Sequence, residues 1–327
     1  MKKLLGGLDI GGTKCAVLLG EEDGNGHVEV LDRAAFPTPD TPEKAIESMF
    51  QELEKLLSKQ EDAQLLAVGV SCGGPLDSKN GIILSPPNLP DWDQIDIITP
   101  LKDRFGVPVA IQNDANACAL AEWKWGAGAG HDNVIFLTFG TGMGAGLILD
   151  GRLYSGTNDM AGEVGHMRLD QDGPIGFGKA GSFEGFCSGG GVARYAQGRV
   201  NKHLAEGKTT SICFSADELE KITAKSVAEA AQAGDVLAKE IYQEVGRRLG
   251  YGIAVLLDVL NPEKVIIGSI YARQEDLLRP KMLEVLEKEA LSHTYRVASI
   301  VPSVLKDAVG DFASLSVATH ALNQNKS

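Results

Sequence analysis

Hydrophobic positions follow two alternating rhythms along this chain. Short apolar runs, LLGGLDI at 4–10, LLAVGVSC at 65–72, VPVAIQ at 107–112 and KVIIGSI at 264–270, are separated by stretches where apolar residues recur every three or four positions. Runs of strand length bounded by turn residues suit strands buried on both faces, and the longer period suits helices lying against a sheet. The pattern predicts an acidic amphipathic helix over 42–58, a buried strand LLAVGVSCGG, a loop SPPNLPDW and a helix-then-strand unit ending at VPVAIQ. A glycine-rich irregular span then runs from Gly151 to about Gly191, followed by helices beginning at Val192, Ser215 and Ser226, with Ser226 and Glu229 forming a capping box. A long helix over 235–260 stops at Asn261-Pro262, and KVIIGSI follows as a strand. A helix over 274–289, a strand VASIVPS and a helix over 311–322 complete an α/β order.

Two segments resemble each other. LLGGLDIGGTKCAVLLG and VIFLTFGTGMGAGLILDG each read strand, glycine turn, strand, and ungapped superposition sets Asp9 on Thr138, Gly11 on Gly140, Gly12 on Thr141 and Thr13 on Gly142. Such a repeat predicts two related lobes, each opening with a β-hairpin. The length of 327 residues, more than one ordinary core, agrees.

A net charge of -13 repels polyanions, which argues against nucleic acid and anionic membranes as partners while leaving room for a small anion that brings its own Mg²⁺. The five cysteines, at 15, 72, 118, 187 and 213, include no CxxC pair, so neither a disulfide framework nor a thiolate metal cluster is expected. The apolar run before Asp9 is too short for a signal peptide, and no later run reaches membrane-spanning length, so a soluble cytoplasmic protein is expected.

The glycine turns narrow the chemistry. GGTK at 11–14 lacks Walker spacing, and GTGMGAG at 140–146 leads into a strand where a dinucleotide fingerprint needs a helix. What is left is either an ordinary tight hairpin or a pair of turns whose backbone N–H groups grip one polyphosphate. Asp9, at the end of an apolar strand, reads either as a turn residue or as a carboxylate facing Mg²⁺ through water. Lys14 is placed to touch a phosphate or simply to face solvent. In VPVAIQNDANACALAEW, Asp114 stands where a strand gives way to a helix, as a cap or as a base that accepts a hydroxyl proton while Asn113 fixes a neighbouring hydroxyl. Glu163 and His166 in AGEVGH, with Glu184 in GSFEGF, offer directional partners for a polyhydroxylated ligand.

Taken together, LDIGGTK, SCGGPLD, SPPNLPDW, NDANACALAEWKWGAG, LTFGTGMGAGLILDGRLYSG, AGEVGH, FEGFCSG and NPEKVIIGS resemble the ROK family of sugar kinases and sugar-responsive repressors, in that family's order. The resemblance implies a two-lobed actin/hexokinase-type (ribonuclease H-like) ATPase fold with a central cleft. It implies a lobe of 1–113 plus 312–327 and a larger lobe of 114–311, ATP with Mg²⁺, and phosphorylation of a hexose hydroxyl, usually on C6. Asp114 matches the catalytic base. Gly74, Asn88, Asn113, Glu163, His166 and Glu184 match sugar-holding positions. Asp9, Gly11, Gly12, Thr13 and Lys14, with Thr138, Gly140, Thr141, Gly142 and Gly268, match the nucleotide site. A homodimer or larger assembly is implied too. Glucose is the first-choice sugar from family frequency, with fructose, mannose, allose, N-acetylmannosamine and N-acetylglucosamine as alternatives. The second class of reading is a sugar-sensing regulator without chemistry; family repressors carry a DNA-binding extension, whereas here the first phosphate motif begins at Leu8.

Two departures from the family pattern stand out. The common zinc loop CxCGxxGCxE aligns with IGFGKAGSFE, so Ile175, Phe177 and Ser182 replace its cysteines and no zinc is expected, leaving His166 to be oriented by packing of Phe177 and Phe183. Ser269 follows Gly268 where the family has paired glycines near the adenosine.

Overall fold

The computed structural model describes residues 1–24 and 26–324. The chain forms two compact units, one of Met1–Gly130, Gly146–Ala161 and the stretch from Asp307, the other of His131–Ala145 and Gly162–Lys306. In the first, β1 (Lys2–Ile10), β2 (Lys14–Glu22), β3 (Val28–Pro37) and β4 (Ala63–Cys72) surround α1 (Pro42–Ser58) in sequence. The short strands β5 (Leu76–Asp77), β6 (Ile82–Leu84) and β7 (Asp93–Asp96) form a small sheet of their own. Then come α2 (Ile98–Phe105), β8 (Val109–Asn113) and α3 (Asp114–Trp125). The main sheet has the order β3-β2-β1-β4-β8, with β1–β2 and β2–β3 antiparallel and β1–β4 and β4–β8 parallel.

The repeat seen in the sequence returns in the second sheet. Its strands are β9 (Val134–Phe139), β10 (Met143–Leu149), β11 (Arg152–Leu153), β14 (Lys264–Ile267) and β15 (Ser299–Pro302), in the order β11-β10-β9-β14-β15. β14 again runs parallel to both neighbours, so hairpin, parallel strand, parallel strand is the plan of both sheets. Between β11 and β14 lie the two-residue strands β12 (Ile175–Gly176) and β13 (Lys179–Ala180), then α4 (Phe183–Phe186), α5 (Gly189–Ala205), α6 (Ala224–Gln232) and α7 (Val236–Leu260). α8 (Ile270–Glu289), α9 (Ser292–Val297) and α10 (Val309–Gln324) follow.

α1 begins where its sequence says it should: Thr41 accepts a hydrogen bond from the Lys44 N–H, Pro42 occupies the first turn, and Ala45, Met49, Phe50, Leu53 and Leu56 form the buried stripe. α10 crosses the first sheet on the opposite side from Leu53, close enough that a Cβ at Gly69 of β4 would run into the Ser314 carbonyl and the Ala318 N–H. That approach fixes the start of α10 beside the ends of β1 and β4. By packing, α3 belongs with α10 in the first unit, the Ser316 hydroxyl donating to the Ala117 carbonyl at 3.0 Å.

Several predicted boundaries move. α5 starts at Gly189 rather than Val192, because Ser188 caps it by accepting from the Gly191 N–H. The capping box is Thr223 with Ser226, not Ser226 with Glu229, so α6 begins a turn earlier; the segment from Ser215 is a 3₁₀ turn. α8 extends back to Ile270 across a non-helical Gln274, and α9 occupies a stretch read as a connection. Among the described residues no helix is long and apolar enough to cross a membrane.

Candidate active site

In the first unit, strand register assembles the candidate residues. Asp9 pairs with Ser71 across β1 and β4, Ser71 pairs with Gln112 across β4 and β8, and β8 ends at Asn113 with Asp114 next. Partners in parallel strands project to the same face, so the end of this sheet presents Asp9, Ser71 and the start of α3 side by side. The Ser71 hydroxyl donates to Asp114 Oδ1 at 3.3 Å. The cap of α3 is Asn113, not Asp114: Asn113 Oδ1 accepts from the Asn116 N–H at 2.8 Å. This division of labour leaves the Asp114 carboxylate without a capping duty and turns the Asn113 side chain so that its amide N–H₂ is the group left to donate.

The electrostatics are those of carboxylates gathered at one end of a sheet. Burial raises the Asp9 carboxyl to about 7, with the Asp114 and Asp311 carboxylates pushing the same way and Lys14 and Arg33 pulling back. Asp114 is exposed by surface area, yet enough protein surrounds its carboxyl for desolvation to raise its pKa, partly offset by the Ser71 hydrogen bond. Asp311, in the first turn of α10, is held by Arg33 of β3, whose Nε donates to Oδ1 at 2.9 Å. Neither Ser71 nor Asp311 was singled out from sequence. Ser71 had a signal, a lone hydroxyl within an apolar strand; Asp311 had none, because its place beside Asp9 depends on the seat of α10.

The first glycine turn is tight and solvent-facing. The Gly11 N–H donates to the Lys14 carbonyl at 3.2 Å, the Thr38 hydroxyl donates to the Gly11 carbonyl, and Gly12, Thr13 and Lys14 are exposed. A side chain at Gly12 would strike the Asn88 carbonyl, so this turn rests on the SPPNLPDW loop, which Leu89 and Trp92 anchor in the core. Gly74 lies against Asn113, where an added Cβ would meet the Asn113 Cβ at 3.8 Å. Asp9, Gly12, Asn88, Gly74, Asn113 and Asp114 therefore share one end of one sheet.

The second unit gathers the remaining candidates. The Thr138 hydroxyl accepts from the Gly144 N–H at 2.8 Å and donates to the Gly144 carbonyl at 3.3 Å, so it staples the hairpin and shapes the turn. Thr141, exposed at the tip, has a hydroxyl with no partner among the described residues. The Gly140 N–H donates to the Gly142 carbonyl, and the Met143 N–H donates to Glu184 Oε2 at 3.2 Å, tying the turn to α4. Glu163 has its pKa raised by burial and then by the Glu184 carboxylate, with His166 opposing, which puts all three groups within electrostatic reach.

The loop expected to lack zinc ligands is built as a hairpin. β12 and β13 pair Ile175 with Ala180, and the turn places Phe177 and Gly178 at positive φ, 43° and 75°. Ser182 caps α4 by accepting from the Gly185 N–H at 3.0 Å, a task a thiolate would not perform as well. The Phe177 ring meets the His166 imidazole edge-on, centroids 6.5 Å apart, and Lys179 Nζ donates to the His166 carbonyl at 2.7 Å. Phe183 is buried beneath Gly252, so of the two rings expected near His166 the structure records that contact for Phe177. One imidazole with an isoleucine, a phenylalanine and a capping serine is not a zinc donor set.

The Gly268 N–H donates to the Leu137 carbonyl at 3.0 Å, and an added Cβ would meet the Phe136 ring at 3.0 Å. Ser269 after it sits at φ 51°, ψ -113°, a region suited to glycine, with its hydroxyl near Gly140. Replacing Ser269 by glycine is expected to raise the unfolding free energy by about 1 kcal/mol through relief of backbone strain, read by urea denaturation. An unchanged or lower value would show that the hydroxyl contributes more than the backbone loses.

Two five-stranded sheets on one plan, each opening with a glycine hairpin, define a protein of the actin/hexokinase type. The chain belongs to the ROK family, whose profile matches residues 5–320. It is 32% identical over 306 residues to the glucokinase of Streptomyces coelicolor, an alignment covering 93% of this chain and 94% of that one. It is 30% identical over 304 residues to the xylose repressor of Caldicellulosiruptor bescii, covering 92% of this chain and 74% of the repressor. The structure of the ROK glucokinase of Streptomyces griseus in complex with glucose and AMPPNP aligns with TM-score 0.74 and 30% identity over 98% of this chain and 100% of that one.

Proposed function

We propose that this protein is an ATP-dependent hexose kinase that transfers the γ-phosphate of ATP to the primary hydroxyl of a hexose, with glucose and glucose 6-phosphate as the first substrate and product to test. The observation that carries the reading is the cap exchange at the head of α3: Asn113 satisfies the helix and, among the described residues, Asp114 keeps a carboxylate bonded to Ser71 alone, with a raised pKa. A general base needs that freedom and a proton affinity closer to neutrality than an ordinary carboxylate has. In this mechanism Asp114 accepts the hydroxyl proton as the sugar oxygen attacks in line, Asn113 donates to a neighbouring hydroxyl, and the amides of the turns at Gly12 and Gly142 hold phosphate oxygens.

The donor set at Asp9 fits Mg²⁺: a hard carboxylate, half-buried, near Asp114 and Asp311, with more negative charge than Lys14 and Arg33 offset. When bound, Mg²⁺ supplies charge neutralisation at the phosphates. Asp9 would hold it, through water. Glu163, His166 and Glu184 are assigned to the sugar by their match to the family motifs, with Gly74 and Asn88; Thr13, Lys14, Gly11, Thr138, Gly140, Thr141 and Gly268 are assigned to ATP in the same way. A two-lobed division, a homodimer and a cytoplasmic location belong to the same proposal, with the lobe boundary expected at 113/114 moved beyond α3, which packs with α10 in the first unit.

A panel of glucose, fructose, mannose, allose, N-acetylmannosamine and N-acetylglucosamine with ATP and Mg²⁺, scored by kcat/KM, tests the reading. Glucose is expected to lead; activity led by another member would move the assignment to that sugar, and no activity with any would remove it. The relationship to a xylose repressor supports a second reading, a sugar-responsive regulator. An electrophoretic mobility shift with no phosphorylation in the same preparation would favour it. The donor set around His166 leads us to expect no stoichiometric zinc. Elemental analysis after dialysis checks this, and one zinc per chain would contradict it.

A further inference from the structure

In the first unit, β8 is the edge strand of its sheet, and a cavity of 310 Å³ lies against its outer side. The Val68 N–H donates to the Pro108 carbonyl, which in a parallel pair turns the peptide groups of Ala110 and Gln112 toward β4 and those of Val109 and Ile111 outward. Their N–H and C=O groups both face the open edge, and no hydrogen bond engages either among the described residues. Gln112, 4% exposed, also lines the cavity; its Oε1 accepts from Asn116 Nδ2 at 3.1 Å, and its own N–H₂ has no partner among the described residues. Two ammonium groups, Lys79 after β5 and Lys102 of α2, complete the polar lining, and neither forms an ion pair among the described residues.

No acidic side chain lines this cavity, in a chain with 44 acidic and 31 basic residues. Two carboxylates stand behind the lining and both are occupied: the Ser78 N–H and hydroxyl donate to the two oxygens of Asp159 at 2.8 and 2.7 Å, and the Lys79 and Asn80 N–H groups donate to Asp77 Oδ1 at 3.1 and 3.0 Å. Ile98, Ile111 and Ala321 form an apolar wall. Two ammonium groups and several N–H donors, with no carboxylate in the lining, favour an anion over a cation despite the edge carbonyls, and backbone and ammonium donors from several directions suit a phosphoryl group. The volume, at the lower end for small-molecule sites, exceeds a bare phosphate and leaves the apolar wall for a carbon skeleton.

We propose that this cavity binds a small phosphomonoester, at a site separate from the residues assigned to sugar and ATP. The binding claim stands whether or not the kinase reading holds. Because β8 runs from this cavity into Asn113 and Asp114, an occupant there touches the strand that positions the candidate base, and the site is placed to modulate it.

The test is isothermal titration of the full chain with glycerol 3-phosphate, a phosphomonoester without a hexose ring, with glycerol and inorganic phosphate as the other probes. Wild type is expected to bind glycerol 3-phosphate more tightly than phosphate and not to bind glycerol. The double substitution Lys79→Met with Lys102→Met, at exposed positions, is expected to keep the thermal midpoint and lose about tenfold or more in affinity, the effect of removing charge-assisted contacts. Equal affinity in the double variant, or no binding by wild type, overturns the site. Phosphate bound as tightly as the ester overturns the ester assignment.

Discussion

Asp114→Asn is expected to lower kcat by about 10²- to 10⁴-fold, the range a positioned general base contributes. The substitution keeps the side chain's shape and an oxygen able to accept from the Ser71 hydroxyl. It leaves the head of α3 intact, because Asn113 and not Asp114 satisfies the Asn116 N–H. Structural damage is therefore a poor explanation for any loss of turnover, and the thermal midpoint should hold or rise as a partly desolvated charge disappears. Binding of glucose, read by calorimetry, should change only a few-fold, as expected of an interaction realised mainly in the transition state. Because the Asp114 pKa is raised, wild-type kcat/KM should fall as pH drops through that pKa, and the variant should lack this limb. A variant with near-normal kcat would take the base role away from Asp114.

Asp9→Asn is expected to do two opposite things: abolish the Mg²⁺-dependent reaction and stabilise the metal-free protein. The sign follows from linkage. Asp9 has its folded-state carboxyl raised from 3.8 to about 7, so between those values the folded chain holds a proton that the unfolded chain has released. Its contribution is therefore nil below the unfolded pKa, grows unfavourable as pH rises toward 7, and is complete above that. A shift of this size corresponds to roughly 4 kcal/mol, and partial solvent access reduces the expected gain in the variant to about 2 kcal/mol at pH 8. Urea denaturation without Mg²⁺ should show the two proteins alike near pH 4 and separated at pH 8. Added Mg²⁺ should narrow the gap by stabilising wild type alone. Parallel pH profiles would mean that Asp9 is not the crowded carboxylate described above.

Elements defined by local chemistry were legible in the sequence, and those defined by partners were not. α1 announced itself through Thr41, Pro42 and its apolar stripe, and α7 through its Asn261-Pro262 stop, with Asn261 in the left-handed conformation at the cap. The two glycine hairpins were visible as a repeat and proved to open two sheets of one order. The shifted starts of α5 and α6 each came from a serine or threonine with a competing cap one turn earlier, which propensity alone does not resolve.

At the candidate site, residue types were readable and their duties were not. Sequence posed Asp114 as cap or base; only coordinates could hand the cap to Asn113. Thr138 matched a phosphate loop, yet its hydroxyl is engaged within its own hairpin, and Glu184 holds the Met143 amide as well as facing Glu163. Asp311 and Ser71 reach Asp9 and Asp114 through the seat of α10 and the register of β4, both long-range consequences of packing. Gly69 hinted at a close approach inside a strand without saying that Ser314 and Ala318 were what approached.

Phosphorus-31 NMR of wild-type protein with ATP, Mg²⁺ and glucose follows the transferred group itself. The account predicts that the γ-phosphate resonance declines while ADP and a sugar phosphomonoester appear in equal amounts, and that Asp114→Asn leaves the spectrum nearly unchanged over the same period. ATP that persists with every hexose in the panel, or that yields only inorganic phosphate, would contradict it.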